Sequence, residues 1–242
     1  MIEPEKFVKR PHRGEIRIEG PDAFSFLQNI VSNDLNLLEI SPFIHACLLT
    51  PQGKFLHDFY VSRTAEGYTL ECEGGERTRD LAKRLTLYKL RANISIEANE
   101  DITIYITASS RSPSPPNGTE IPLNEWDTER ILRGEPDGSR DAEVGVSTLA
   151  ELNLDEKAVS YTKGCYVGQE LVARMHNRNL GKKHLVSTRF KKNPPQSGTE
   201  IENYGLMRSK CGNLGLILMN RETEAKTKET QNDDSEIYLL GL

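Results

Sequence analysis

Two strand-like runs, residues 44–50 and 55–63, flank Pro51-Gln52-Gly53, and this hairpin constrains the fold more than any other segment. Proline presets one turn dihedral and glycine supplies another, so the two runs are expected to pair antiparallel. A third run at 68–72 extends them into a meander. Upstream, residues 14–20 alternate with period two and read as a strand; Pro21 and Asp22 then open a helix with Phe24, Leu27 and Val31 as its buried stripe. Ser32-Asn33-Asp34 breaks that helix. Residues 76–88 form an amphipathic helix with Leu81, Leu85 and Tyr88 on one face, followed by strands at 94–97 and 102–107. The Ser- and Pro-rich stretch 109–118 reads as a flexible connection, and a helix at 125–132 is ended by Gly134 and Pro136. Short strands are expected at 185–190, 200–206, 214–219 and 237–240, and the polar tract 221–236 reads as a mobile hairpin tip. No internal repeat is found. Mixed strands and helices followed by an all-β tail predict an α+β chain with a small C-terminal barrel.

The segment from Lys163 to Glu170, Lys-Gly-Cys-Tyr-Val-Gly-Gln-Glu, carries the chemistry. Leu171 and Met175 continue it at helical spacing, which predicts a helix from Val167 and places Cys165 near its N-terminus. Unpaired N–H groups and the macrodipole there favour negative charge. Lys163 and Arg174 add cations at either end, an environment that raises the thiolate fraction of a cysteine. Tyr166 offers an aromatic wall, and the glycines permit close backbone approach. Gln169 and Glu170 cap the first turn or orient a ligand over the cysteine. A structural cysteine in a tight connection is the alternative reading.

Composition excludes several classes. The chain has 242 residues, 28% of them charged, and a net charge of −5, so it is not expected to bind nucleic acid stably. The local basic cluster Arg174, His176, Arg178, Lys182, Lys183 and His184 reads as a solvated helix end and loop. Cys47, Cys72, Cys165 and Cys211 are far apart, with no CxxC, which argues against structural zinc. With no membrane-length apolar run and no targeting pattern, the expectation is a cytoplasmic, monomeric protein with free thiols and no membrane association.

The octapeptide, continuing through Leu171, Ala173 and Arg174, resembles the signature of the YgfZ family. These are folate-binding-type proteins related to the aminomethyltransferase of glycine cleavage (GcvT), with a branch of mitochondrial iron–sulfur cluster assembly factors. Other matches run in order along the chain. They are Arg13-Gly14, Gly20, Asp22, Phe26-Leu27-Gln28, Asn33-Asp34, Pro51-Gln52-Gly53-Lys54 and Leu87-Tyr88-Lys89-Leu90-Arg91, followed by Arg130, Gly134, Pro136, Gly138 and Asp141, then Glu151, Asn153 and Leu154. The resemblance implies a GcvT-like folate-binding fold with a ferredoxin-like subdomain: residues 1–182 as the folate-binding region of two interwoven subdomains, and 183–242 as the β-barrel. It implies Cys165 as the reactive residue or as a transient cluster ligand shared with a partner. Lys163, Tyr166, Gly168, Gln169, Glu170 and Arg174 are then expected around a ligand. Asn33, Asp34 and Asp58 complete the expected binding set. Asp34 also has a bland reading, as an Asx residue satisfying local backbone N–H groups.

Two departures bear on activity. Where true aminomethyltransferases carry an acidic pair after this turn, the chain has His57-Asp58, and His57 alternates with Leu56 and Phe59 so as to face solvent. Where they carry a pterin-binding glutamate, it has Leu132, which accepts no hydrogen bond. The resemblance therefore implies an accessory protein for iron–sulfur assembly or repair more than an aminomethyltransferase. It would support 4Fe-4S enzymes, tRNA-modifying ones included. A-type carriers and 4Fe-4S client enzymes are the implied partners, with tetrahydrofolate and a transient iron–sulfur cluster as the implied cofactors. A tetrahydrofolate-dependent aminomethyl transferase is the alternative, and a folate-binding scaffold with a structural Cys165 is a third reading.

Overall fold

The computed structural model describes residues 5–178, 180–232 and 235–240. The chain divides into two compact units interleaved along the sequence: Met1–Pro51, Leu56–Leu123 and Ala158–Gln169 in the first, Gln52–Phe55, Asn124–Lys157 and Glu170–Leu242 in the second.

In the first unit, strands β1 (Lys6–Glu19), β2 (Phe43–Leu49), β3 (Phe55–Arg63), β4 (Gly67–Glu73), β5 (Ser95–Ile106) and β6 (Arg111–Ser112) form a sheet in the order β2-β3-β4-β1-β5-β6. A short strand β7 (Thr119–Ile121) pairs in parallel with the start of β1. The predicted hairpin is present, with Gly53 at φ +74 in its turn. The two strands expected at 94–97 and 102–107 are one continuous strand. The break falls instead on β1, whose register against β5 shifts between Arg10 and Glu15, beside His12 at φ +56. A bulge in one strand leaves its partner unbroken.

One face of this sheet is apolar. Ile16 of β1 lies opposite Leu70 of β4, which in turn lies opposite Val61 of β3. Helices α1 (Ala23–Gln28) and α2 (Glu76–Lys89) cover that face with Phe26, Leu27, Leu81 and Leu85. Each such side chain contributes about 1.5–3 kcal/mol by leaving water. Gly14 sets how closely α2 lies, because a Cβ there would sit 1.8 Å from the Thr78 hydroxyl. That hydroxyl donates to the Glu73 carbonyl at 2.7 Å. Phe24, expected in the buried stripe, is 41% exposed; the buried face of the six-residue α1 is instead Ala23, Phe26 and Leu27, at i, i+3 and i+4.

The other face is ionic. The buried Glu71 carboxylate accepts from Arg13 Nε at 2.6 Å and Arg111 Nε at 2.5 Å. Burial would raise its pKa, but the two guanidiniums outweigh burial and hold it below the ordinary value. Arg111 also lies 3.5 Å over the Tyr60 ring. The stretch read as a flexible connection is therefore tied down at Arg111, which strand β6 and this ion pair fix in place.

In the second unit, β8 (Lys183–Phe190), β9 (Glu200–Ile201), β10 (Gly205–Cys211), β11 (Leu214–Asn220) and β12 (Ile237–Leu239) form an antiparallel, barrel-like sheet in the order β12-β8-β11-β10-β9. Val186, Phe190, Met207, Ile217 and Met219 fill its core. The strand expected at 200–206 is interrupted by a turn with Asn203 at φ +63. Helices α3 (Leu123–Leu132), α4 (Gln169–Arg178) and α5 (Arg221–Thr230) complete the elements. The helix α5 replaces the expected hairpin tip. Asn220 caps it by accepting from the Glu222 N–H at 2.9 Å, and Glu224 pairs with Lys228 one turn later. Asp233 and Asp234 of that tract lie outside the described residues. Among the described residues no helix is long and apolar enough to cross a membrane.

His57 is not solvent-facing as expected. It is 3% exposed, and its Nε2 donates to Asp80 of α2 at 2.8 Å. Burial and the Arg77 charge lower its pKa from 6.5 to about 4, despite the opposing pull of Asp80. The folded state therefore refuses a proton that the unfolded chain accepts, so this contribution is complete above pH 6.5 and is lost as pH falls towards 4. Denaturant unfolding between pH 7 and 5 is expected to show stability falling with acidity. His57→Gln, which keeps a donor without titrating, should flatten that slope by up to about 1.4 kcal/mol per pH unit.

Candidate functional site

Residues 158–169 return to the first unit and lie against the break after α1, and Ser32 sits at the centre of this junction. Its hydroxyl donates to the Ala158 carbonyl at 2.6 Å and accepts from the Cys47 N–H at 2.8 Å, while its own carbonyl accepts from the Ser160 N–H at 3.0 Å. On either side, the Lys163 ammonium donates to the carbonyls of Val31 and Asn33, each at 2.8 Å. Lys163 is buried, and desolvation lowers its pKa to about 8 against the pull of Asp34.

Asn33 and Asp34 belong to the same cluster. The Asn33 amide donates to the His45 carbonyl at 2.8 Å and its oxygen accepts from the Asp34 N–H at 2.9 Å. Asp34 caps the short 3-10 turn Leu35–Glu39, accepting from the Asn36 N–H and from Gln28 Nε2. Burial alone would raise its pKa, but these hydrogen bonds and the Lys163 charge hold it low. Its Asx reading is therefore realised.

Cys165 emerges from this anchored segment as an exposed free thiol. The next residue, Tyr166, turns inward and is buried, its ring 5.3 Å from the Lys163 ammonium, and burial raises its phenol pKa. Its carbonyl accepts from the Gln169 N–H at 3.3 Å across a turn with Gly168 at φ +83. Glycine at the third position of such a turn carries no Cβ penalty. The other thiols differ. Burial pushes Cys47 well up and Cys72 to about 12, and Cys211 lies half-buried in the second unit, 3.3 Å from the Asn124 carbonyl.

The helix begins at Gln169 rather than Val167, so Cys165 precedes it by a full turn of loop. Val172 is its buried residue, with Leu171 and Met175 only half-buried. Glu170 and Arg174 are exposed on α4 and belong to the second unit. Lys163 is turned onto backbone carbonyls instead of standing as a free cation along the segment. Asp58 Oδ2 lies 3.0 Å from His45 Nε2, and the His45 ring stacks on Tyr60 at 4.4 Å. His45 and Ser32 were not singled out from sequence. Ser32 stood inside the helix break that was read, whereas His45 carried no distinguishing signal. In the second unit, Arg130 is fully buried and donates to Asp127, Asp141, Ser209 and the Glu135 carbonyl, so it holds the fold together; Leu132 is 38% exposed. The basic cluster 174–184 is largely exposed, with His184 bound to Glu224 at 2.6 Å.

Lys163→Met keeps the apolar stem and removes both donors, which leaves two buried carbonyls unpaired. A loss of about 1–3 kcal/mol in urea unfolding is expected. Hydrogen exchange should quicken across 158–169, while β10 and β11 stay protected.

No family model matches the chain. Among curated proteins, the iron-sulfur cluster assembly factor IBA57, mitochondrial, of Homo sapiens is 28% identical, the match covering 84% of this chain and 74% of the relative. The Mus musculus protein of the same name is 26% identical over 90% of this chain and 80% of its own. Among solved structures, the glycine cleavage system aminomethyltransferase T from Bartonella henselae superposes with a TM-score of 0.64 at 15% identity, covering 90% of this chain and 79% of that one. That likeness shows the GcvT-like fold. The expectation of a cytoplasmic protein is corrected by the relatives, whose names place them in mitochondria. The chain is thus a homologue of the IBA57 iron–sulfur cluster assembly factors, relatives of the YgfZ family, built on the aminomethyltransferase fold.

Proposed function

We propose that this protein is an accessory factor for the assembly or repair of iron–sulfur clusters and supports the maturation of 4Fe-4S enzymes through Cys165. The names of its homologues support the general role. The observation that carries the cysteine mechanism is an exposed free thiol on a loop whose backbone is anchored by a buried lysine. A cluster is held by several thiolates, and one cysteine supplies one. Cys47 and Cys72 are buried with raised pKa values and are poor candidates for the others. The cluster is therefore cargo shared with a partner: an A-type carrier, a client enzyme such as a tRNA-modifying one, or a small thiol such as glutathione.

Tetrahydrofolate enters this reading only through the fold. The side chains at the carried-over positions do not fit classical pterin recognition: His57 is bound to Asp80, Asp58 to His45, and Leu132 has no acceptor. No step of the mechanism runs through it. The same mismatch counts against aminomethyl transfer.

The test is rescue of a 4Fe-4S enzyme in cells lacking the protein, comparing wild type with Cys165→Ser at matched expression. Wild type is expected to restore activity and the variant to leave most of it unrestored. Equal rescue would remove Cys165 from the mechanism, and failure of the wild type would remove the cluster role. In the purified protein, iodoacetamide followed by mass spectrometry should modify Cys165 well before Cys47 and Cys72, which must await opening of the fold.

A further inference from the structure

A cavity of about 550 Å3 opens within the first unit between the ends of α1 and α2. Phe26, Ile30, Tyr88 and Val167 line it, and Val167 is the second residue after Cys165. Volumes of about 300–1,000 Å3 suit a compact ligand or an inserted side chain. The rim is unusual for a surface with no occupant. Leu90 of the lining is 89% exposed, and Lys89 and Arg91 flank it in sequence. Among the described residues neither cation has an ion pair, and the Asn29 amide and Tyr88 hydroxyl lack side-chain hydrogen bonds as well. The one lining carboxylate, Asp22, accepts from the Asn93 N–H at 2.8 Å.

Leu90 adds a backbone observation. It ends α2 at φ +44, ψ −106, a positive-φ conformation outside the αL region that side chains other than glycine rarely adopt. A leucine held in so sparse a region and pointed at water is strained, and such strain clusters at functional positions. An exposed apolar side chain between two cations without ion pairs, over a concave apolar floor, complements an acidic chain with one large apolar anchor.

We infer that this cavity docks a partner protein through an acidic segment that inserts one bulky apolar side chain between Phe26, Ile30 and Tyr88. The inference rests on the proposed role of Cys165, since Val167 joins the cavity to the cysteine loop and a partner seated here lies beside the segment that presents the thiol. Leu90 grips the flank of the bound segment, and Lys89 and Arg91 pair with its carboxylates.

The probe is a fluorescein-labelled peptide in which glutamates surround a central Leu-Phe pair, read by anisotropy against a twin with lysine in place of glutamate. The acidic peptide is expected to bind the full chain saturably. Lys89→Glu combined with Arg91→Glu should weaken it at least tenfold and reverse the preference towards the lysine twin. Leu90→Gly should raise the unfolding midpoint by relieving the backbone and yet weaken the acidic peptide. Unchanged binding in either variant, or no saturable binding by wild type, overturns the proposal. So does capture of phosphatidylserine vesicles without the peptide, which would assign the rim to lipid, or self-association abolished by Leu90→Asp, which would assign it to a second copy. In the rescue assay, the charge-reversed variant with Cys165 intact should fail. Rescue equal to wild type sinks the docking role and leaves Cys165 standing, whereas full rescue by Cys165→Ser sinks the reading beneath it.

Discussion

The Lys163 ammonium, donating to the carbonyls of Val31 and Asn33, is the interaction on which the site depends. Residues 158–169 meet the break after α1 across 130 residues of sequence, so closing that loop costs chain entropy that local contacts must offset. Two hydrogen bonds through Ser32 and two through Lys163 do so in a buried setting, where each is costly to leave unmade. The depressed Lys163 pKa does not turn this clamp into a pH switch. A neutral amine keeps two N–H donors, enough for both carbonyls.

The sheet of the first unit performs two separate tasks on its two faces. Ile16, Leu70 and Val61 face α1 and α2, and the absence of a side chain at Gly14 lets α2 approach Thr78. Arg13, Glu71 and Arg111 bind the other face into a charged cluster. A buried carboxylate between two guanidiniums adds little net stability compared with an apolar core, because desolvation offsets much of the attraction. It does fix geometry: Arg111 is held over Tyr60, which stacks on His45, the partner of Asp58.

Much of this architecture was legible in the sequence, for local reasons. Pro51 and Gly53 set the hairpin, and Leu81 and Leu85 at helical spacing marked α2. The glycines around Cys165 marked a turn. What escaped notice depended on distant partners or lacked an apolar stripe. His57 alternates like a solvent-facing residue, and only the packing of α2 brings Asp80 to it. The aim of Lys163 depends on a turn far upstream. Helix α5 buries no residue, so periodicity could not reveal it, although Asn220 followed by Glu222 and Glu224 was a readable cap signal. Cellular location was misread because composition reports redox habit, not address.

The proposed role asks of a cysteine both exposure and an anchored backbone. A thiol inside the core, such as Cys47 beneath Ser32, is held away from any partner and is costly to ionise. A thiol on a loose tail would be reachable, but ordering it on each encounter would consume binding energy. Cys165 avoids both penalties: it is exposed, Lys163 and Tyr166 near it are buried, and the Gly168 turn leads the chain away. In the proposed role, an acceptor that docks nearby would meet a preorganised ligand, and a single thiolate holds too few bonds to keep a cluster by itself.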